Sequence, residues 1–278
     1  MALMNSVEMM KPKTLRPTKI NPQLERVLQK VLRSVSRDTY QIIINTLFGK
    51  RGSKLNWNIT ADELANLFQT IGSTVNVVIP SYSPRLKSIF EAMEKNNRTK
   101  LSSALIDRVG VDLSAIIKKA PIQKQIQLVV DQNLSLIKSL TEKQVEAVKN
   151  LVYQDIRTGT FDNTKIRDFI MDEFGKSKRH ADFIASDQTH KFNASLSQIR
   201  LKQLGIEEYL WRNAGDRRVR GNPSGLYPNS KYNHWSREGV RYRYDKPPPD
   251  GNPGQPIRCR CYAEPILPKS FDNLLRGK

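Results

Sequence analysis

The sequence predicts an α+β protein, in which the N-terminal two-thirds is mostly α-helical and a small β- or loop-rich module follows. Two observations predict this division. Up to about residue 204, apolar side chains recur at steps of three and four residues, which is the period of an amphipathic helix. From Trp211 to Pro268 that period is lost, and short apolar runs alternate with Gly, Pro and Asn turn signals.

The first helices are predicted from their start signals. Asn21 and Pro22 supply a capping side chain and a proline at the first helical position. Thr60 and Glu63 have the spacing of a capping box, so a second helix is predicted to begin there. Ser83 marks the third predicted start.

The later helices are predicted from one cap and two glycines. Thr141 and Gln144 repeat the capping-box spacing, which predicts a helix start in the middle of the chain. Gly175 is expected to end a short helix, and a long helix over about residues 178–204 is expected to end at Gly205. The polar residues of the long helix are interpreted either as solvated or as partners of the following module: His180, Asp187, His190, Asn193 and Arg200.

These breaks and the distribution of charge predict four segments. Residues 1–20 are basic and have few core-forming side chains, which predicts a flexible arm. The predicted organisation is a flexible basic arm at 1–20, a helical domain at 21–158, a second domain at 159–268 that combines a helix with the β- or loop-rich module at 209–268, and a basic tail at 269–278.

The chain is strongly basic. It has 278 residues, with 46 Lys and Arg against 27 Asp and Glu, and a formal net charge of +19 at pH 7. Because self-repulsion makes such an excess unfavourable for folding, a polyanionic partner is the better explanation. Nucleic acid is the first expectation, and an acidic protein surface or an anionic membrane is the second. A solvated basic surface without a partner stays the alternative.

Several classes of protein have no support in the sequence. No run of 18 or more apolar residues is present, so no membrane span is predicted. Only two cysteines are present, which indicates synthesis in a reducing compartment. The phosphate-binding loop, the serine nucleophile elbow and the dinucleotide fingerprint are all missing, so ATPase, hydrolase and dehydrogenase activities are not predicted.

One acidic residue lies within a run of arginines after Trp211. Asp216 is followed directly by Arg217 and Arg218, and Arg220 lies two residues beyond Arg218. A carboxylate can organise guanidinium groups through paired hydrogen bonds. Two interpretations stay open: a structured basic patch for phosphate, or an internal salt-bridge hub that fixes the turn.

The two cysteines form a Cys-x-Cys pair near the C-terminus. Cys259 and Cys261 could serve as zinc ligands, with His234 as the third. A fourth ligand would then be needed, and Asp216 and His190 are the candidates. The alternative is that the cysteines bind no metal and are packed in the module as structural residues.

Several separated motifs occur in a fixed order in this part of the chain. Gly-Asp-Arg-Arg-Val-Arg is followed by His234 and by Glu238-Gly239, and then by Pro-Pro-Pro-Asp-Gly-Asn-Pro-Gly-Gln-Pro-Ile-Arg-Cys-Arg-Cys. Together with the preceding helix, they closely resemble the Mu F-like family of phage head-morphogenesis proteins over about residues 140–268. The segment 159–268 is therefore identified as a Mu F-like domain. Its positions interpreted as structural are Trp211, Asp216, Gly239, Pro248 and Gly251.

The resemblance implies a minor capsid protein of a tailed bacteriophage, structural rather than enzymatic. It is expected inside the virion head, and in the host cytoplasm during assembly, with a part in genome packaging or ejection. The implied partners are the portal protein, double-stranded DNA bound without sequence preference, and a scaffold or major capsid protein. The family often has histidine where this chain has Asn252, which weakens a shared metal or catalytic role there. The arginines expected to contact DNA phosphate or an acidic portal face are Arg212, Arg217, Arg218, Arg220, Arg258 and Arg260.

Two other functions stay open. A metal-dependent nuclease acting on phage or host DNA would use Asp216, His234 and Glu238 as acid, base and metal ligand. A cellular nucleic-acid-binding module unrelated to phage is the third possibility, and a gene position away from portal and capsid genes would favour it.

Overall fold

The computed structural model of the protein describes residues 13–49, 55–56, 58–118 and 121–271. Within these ranges the chain is mostly helical with a small antiparallel sheet near the C-terminus, so the predicted α+β fold class is confirmed. The helices are α1 (Pro22–Phe48), α2 (Ala61–Val78), α3 (Ser83–Val109), α4 (Ser114–Lys118), α5 (Gln123–Thr158) and α6 (Asn163–Gln203). The strands are β1 (Glu208–Arg212), β2 (Arg241–Arg243) and β3 (Tyr262–Ile266). Short 3₁₀ helices occupy Pro80–Tyr82, Trp235–Arg237 and Lys269–Phe271. None of the described helices is long and apolar enough to cross a membrane.

The predicted helix starts are confirmed where a side chain caps the first turn. The Asn21 side chain accepts a hydrogen bond from the Gln23 amide, and proline stands at the first helical position of α1. At the start of α2, Thr60 accepts from the Glu63 amide, and the Glu63 carboxylate accepts from the Thr60 amide. These bonds satisfy backbone donors that have no partner inside the helix.

Two predicted helix boundaries are wrong. Thr141 and Gln144 lie inside α5 rather than at a helix start. The side-chain amide of Gln144 donates a hydrogen bond to the backbone oxygen of Glu173. Gly175 lies inside α6, which continues without a break to Gln203. Glycine costs about 1 kcal/mol relative to alanine inside a helix, which the tertiary packing of a long helix can outweigh.

The chain divides into two compact units. We call Asn21–Met93 with Pro121–Thr189 the helical unit, and Met1–Ile20, Glu94–Ala120 and His190–Lys278 the C-terminal unit. Helices α3 and α6 each contribute residues to both. This division differs from the predicted boundary at residue 158, because residues 159–189 belong to the helical unit and 94–120 to the C-terminal unit.

The helical unit is built on the apolar face of α1. Leu28, Leu32 and Val35 of α1 are fully buried, and α1 contacts both α2 and α5. A bidentate ion pair joins Arg33 of α1 to Asp182 of α6, with nitrogen–oxygen distances of 2.5 and 2.6 Å. Apolar burial at helical spacing therefore accounts for this unit, as the sequence period predicts.

The C-terminal unit contains the sheet, in the order β2-β1-β3 with all pairs antiparallel. Tyr209 and Trp211 of the central strand are fully buried, on alternate positions of β1. The 3₁₀ helix that ends at Phe271 adds a buried ring to the same core. The predicted β- or loop-rich module is thus a three-stranded sheet with long connections.

Residues 13–20 are folded into this unit, which corrects the prediction of a flexible arm for them. The Leu15 amide donates to the Pro265 backbone oxygen at 2.8 Å, and Thr14 forms a bridge with Ile266. The Leu15 side chain is fully buried in the core of the C-terminal unit. Residues 1–12 of the predicted arm and 272–278 of the predicted tail lie outside the described residues.

Candidate metal centre

Three buried side chains converge in the C-terminal unit: His234, Cys259 and Cys261. Their relative exposures are 2%, 4% and 6%. Nδ1 of His234 lies 3.6 Å from Sγ of Cys259 and 3.7 Å from Sγ of Cys261. These three residues, proposed from the sequence as metal ligands, therefore share one site with the spacing of a metal-binding group.

The sheet and a neighbouring loop hold His234 in place. His234 immediately precedes the 3₁₀ helix Trp235–Arg237, and the Trp235 amide donates to the Arg220 backbone oxygen at 2.9 Å. The Trp211 ring meets the imidazole edge-on, with 5.1 Å between ring centroids. The buried central strand thus fixes one side of the imidazole.

Asp250 fixes the other edge of the imidazole. Its Oδ2 lies 2.7 Å from Nε2 of His234, and its Oδ1 accepts a bond of 2.7 Å from Arg237. The Asp250 side chain is 7% exposed. Burial alone would raise the pKa of this carboxyl, but the hydrogen bonds from His234 and Arg237 outweigh burial and lower it. Nε2 therefore faces the carboxylate, and Nδ1 is the ring nitrogen that faces the two sulfur atoms.

A tight turn delivers the first cysteine. The Cys259 amide donates to the Pro256 oxygen at 2.9 Å, and the Gly254 amide lies 3.4 Å from the Cys259 sulfur. Gly254 has a φ of +85°, and a Cβ at this position would lie 2.9 Å from the Cβ of Ala194. The glycine is therefore required both by the backbone conformation and by its close approach to α6.

The two thiols differ in how readily they lose a proton. The pKa of Cys259 is held well below its ordinary value, because its sulfur accepts hydrogen bonds from Cys261 and His234. The pKa of Cys261 is raised, because its thiol donates to Cys259 and is buried. Because a metal binds the thiolate form of cysteine, the lowered pKa of Cys259 suits a ligand role.

The geometry of this cluster fits a tetrahedral zinc ion. With zinc–sulfur and zinc–nitrogen bonds of ordinary length, a tetrahedron places neighbouring nitrogen and sulfur ligands about 3.6 Å apart. The two observed separations are 3.6 and 3.7 Å. The carboxylate behind the histidine matches the usual partner of a zinc-bound imidazole.

The two residues considered from the sequence as a fourth ligand do not join this cluster. The Asp216 carboxylate binds Arg260 at 2.5 Å and the Arg218 amide at 2.8 Å. His190 lies on α6 and lines a second cavity of about 290 Å³, whose wall also includes Cys261, but it is not a member of the metal-spaced group. Among the described residues, the metal-spaced group at this site has three members.

An arginine-lined cavity of about 230 Å³ opens beside the three ligands. All three ligand residues contribute to its wall, together with Ala214, Val219, Tyr227, Ser230 and Ile257 and the arginines Arg218, Arg220, Arg258 and Arg260. No carboxylate is among its lining residues in the described part of the chain. Four of the six arginines expected to contact a polyanion therefore share one cavity.

The other two of these six arginines have different surroundings. Arg212 on β1 is ion-paired with Glu264 and with Glu238. Arg217 is exposed and donates to the Ser224 backbone oxygen at 3.3 Å. Arg212 and Arg217 therefore lie outside the lining of the cavity that the other four share, and Arg212 is held against two carboxylates.

The motif positions interpreted as structural are placed in turns and in the core. Trp211 and Pro248 are buried, while Gly239 and Gly251 have φ values of +72° and +103°. The interpretation of Asp216 as a salt-bridge hub agrees with its contacts to Arg218 and Arg260. The pKa of Asp216 is lowered, chiefly by the hydrogen bond from Arg260.

The residues of the nuclease hypothesis are not brought together. His234 faces the cysteines and Asp250, whereas Asp216 binds Arg260. Glu238 accepts from the Asn213 amide at 2.7 Å and pairs with Arg212. In the described ranges, neither carboxylate belongs to the metal-spaced group of His234.

Sequence reasoning missed Asp250 and Arg237, which position the histidine. Asp250 stands in the Pro-Pro-Pro-Asp-Gly motif, and it has no role of its own among the sequence-based predictions. The sequence does hold a signal for this role, because Asp250 is a carboxylate in the same motif as the two thiols. Asn252, two residues further on, lines the 290 Å³ cavity instead, where its side chain accepts from the Tyr209 hydroxyl at 2.8 Å.

Fold and site together define an α+β protein with a buried His/Cys/Cys cluster that is able to hold a metal ion. The chain is similar to an uncharacterized protein of Haemophilus influenzae, with 32% identity over 176 residues. The match covers 63% of this chain and 37% of that protein, so the chain matches little more than a third of its relative's length. No protein-family profile matches the chain, and neither does any solved structure.

Proposed function

We propose that the protein is a minor head protein of a tailed bacteriophage, with a part in head morphogenesis and in genome packaging or ejection. The main support is that the separated motifs of the Mu F-like resemblance meet at one folded site. His234 comes from one motif, and Asp250 and the Cys259–Cys261 pair come from another, and the imidazole contacts all three side chains. Such convergence is expected if the motifs maintain one structural centre.

Portal binding is the first test of this proposal. The purified chain is mixed with the portal protein encoded beside its gene, and complex formation is followed by size-exclusion chromatography with light scattering. We expect a defined complex with few copies of the chain per portal ring. A neighbourhood without portal or capsid genes would instead favour a cellular nucleic-acid-binding module.

DNA contact is a separate part of the proposal, and it rests on the +19 charge and on the arginine-lined cavity. Duplex affinity is measured by fluorescence anisotropy at a series of salt concentrations. Four arginine–phosphate contacts predict roughly a hundredfold loss of affinity between about 50 and 200 mM salt. Affinity that is absent at low salt, or independent of salt, would contradict DNA contact and leave the head-protein proposal standing. Metal-dependent cleavage of the same duplex would support the nuclease alternative.

Within this proposal, the His/Cys/Cys cluster binds zinc. Zinc would link the Cys-x-Cys turn to the loop that carries His234, and structural zinc sites contribute directly to folding free energy. The support is the 3.6 and 3.7 Å spacing together with the carboxylate behind the imidazole. The alternative is that the thiols form only hydrogen bonds with the imidazole.

Elemental analysis of the purified chain separates these two alternatives. Inductively coupled plasma mass spectrometry is expected to find about one zinc per chain in the natural protein. Cys261→Ser is expected to lose it, whereas His190→Ala, which lies outside the cluster, retains it. A metal-free natural protein that is fully folded, and that takes up no added zinc, would leave only the hydrogen-bonded alternative.

A further inference from the structure

The cavity beside the metal ligands has the composition of an anion site. Arg218, Arg220, Arg258 and Arg260 line it without any carboxylate among the lining residues described. Arg260 is held by Asp216, and Arg220 donates to the backbone oxygen of Ile257. These two arginines therefore have fixed positions, which prepares part of the cavity wall before any ligand binds.

Arg258 has a backbone conformation that argues for a role of its side chain. Its φ is +57°, and it is the single non-glycine residue with positive φ among the described residues. Glycine or asparagine would adopt this conformation with less strain than arginine. Such outliers cluster at functional sites. The conformation of Arg258, at the wall of the cavity, therefore favours a role for its guanidinium in binding a ligand.

With the three protein ligands of the described residues, a bound metal ion would have one further coordination position. A structural zinc site is closed by four protein ligands, whereas a site with three leaves the fourth position for a non-protein ligand. His234, Cys259 and Cys261 all border the same cavity as the arginines. A ligand in the cavity is therefore next to both the cationic wall and the metal ligands.

The rim of the cavity adds exposed apolar surface. Tyr227 is 48% exposed and Ile257 is 60% exposed, and both are lining residues. A base can stack on an aromatic ring while arginines hold the phosphate, which is a common arrangement for single-stranded nucleic acid. Inorganic anions would not use these side chains.

We propose that this cavity binds the phosphate group of a nucleotide, either free or at the end of a nucleic-acid strand. Arg218 and Arg258 hold the phosphate oxygens, Arg220 and Arg260 form the fixed wall, and Tyr227 contacts the base. The part of this proposal that places the bound phosphate next to a metal ion rests on the proposed zinc site. The arginine wall does not depend on zinc.

The test compares strand ends in the zinc-supplemented full chain. Two short single-stranded DNA oligonucleotides of one sequence carry a 3′ fluorophore, and they differ only in a 5′ phosphate or a 5′ hydroxyl. Fluorescence anisotropy gives both dissociation constants. We expect the phosphorylated strand to bind at least tenfold more tightly, since hydrogen bonds between charged groups are the strong ones. Competition with a nucleoside monophosphate and with inorganic phosphate distinguishes a free nucleotide from a strand end.

Arg218→Gln and Arg258→Gln are expected to weaken binding of the phosphorylated strand about tenfold to a hundredfold. Arg217→Gln is the matched control, because it removes the same charge one residue away from Arg218 and outside the cavity lining. Equal affinity for the two strands overturns the inference. An equal loss for Arg217→Gln and Arg218→Gln also overturns it.

Zinc content is measured on the same preparations, so that the two proposals fail separately. If the zinc-supplemented protein holds no zinc and still discriminates between the strand ends, the arginine site is supported and the zinc site is contradicted. Bound zinc without such discrimination would overturn the phosphate site and leave the zinc site standing.

Discussion

Asp250 connects the chemistry of the candidate metal centre to the loop that leads to it. Its carboxylate binds His234 and Arg237 at 2.7 Å each, and Arg237 also lies over the Trp211 ring at 4.9 Å. The imidazole, the guanidinium and the indole therefore hold one another. A carboxylate behind a metal-bound imidazole fixes the ring and raises its basicity, so its loss weakens metal binding without removing a ligand.

Asp250→Asn is expected to reduce zinc affinity about tenfold to a hundredfold, because the amide is a weaker acceptor for the Nε2 proton. Competition with a chromophoric chelator measures the dissociation constant. Asp245→Asn, five residues earlier, removes an exposed carboxylate that pairs with Arg243, and it should leave zinc affinity unchanged. An unchanged dissociation constant for Asp250→Asn would refute the positioning role.

At this scale the sequence predicted the three candidate ligands but not their neighbours. Thiols and imidazoles are rare enough in this chain, with two cysteines and three histidines, for their grouping to be conspicuous. Carboxylates and arginines are common, and only the fold selects which of them meet. Arg200 is an example: it is fully buried against Glu94 and Asn97, more than 100 positions away in the chain. No local pattern could have identified these partners.

The turn before Cys259 is the element on which the candidate site depends most. Gly254 contacts α6 so closely that a side chain has no room, and its amide also reaches the Cys259 sulfur. A change in this turn therefore acts on packing and on the metal ligand together. Gly72 in α2 provides the opposite case, since a Cβ there would meet nothing within 4 Å.

Gly254→Ala is expected to destabilise the protein by about 1–3 kcal/mol through strain and overpacking, and to lower zinc content. Gly72→Ala is expected to stabilise it by about 0.5–1 kcal/mol, because alanine loses less backbone entropy in a helix. Urea unfolding followed by circular dichroism measures both changes. A Gly254→Ala variant as stable as the natural protein would show that the contact at Gly254 does not control stability.

Among the elements, the helix starts that carry a capping side chain could be predicted from the sequence. The uninterrupted course of α5 past Thr141 and of α6 past Gly175 could not. Asn21 and Thr60 act as caps because their side chains accept hydrogen bonds from backbone amides of the first helical turn. Thr141 has the same local spacing, but it is buried inside α5, where burial of the apolar face continues the helix. Local capping signals compete with tertiary packing, and packing prevailed at Thr141 and at Gly175.

On the scale of the whole molecule, sequence order does not coincide with the compact units. The C-terminal unit combines the chain start, the middle segment Glu94–Ala120 and the C-terminal part. Leu15, Leu105 and Trp211 are buried in one core although they lie far apart in the sequence. Composition located the change of character near residue 209, but it could not assign the two earlier segments, because their helical or basic patterns are not specific to either unit.

The net charge of +19 belongs to this scale as well. Much of the positive charge near the site is paired internally, as at Arg212 with Glu238 and Glu264 and at Arg260 with Asp216. The excess of +19 remains after all acidic residues are counted, and it agrees with a polyanion nearby, either DNA or an acidic protein face.

The proposal that this protein is a component of phage heads is tested by the composition of purified particles. Particles are induced from the strain that carries the gene, banded on a density gradient, treated with nuclease and protease, and analysed by quantitative mass spectrometry. We expect peptides of this chain inside protected particles, at a few copies per portal ring. Particles of normal portal and capsid content that lack this chain, while it is present in the lysate, would show that it is not a head protein.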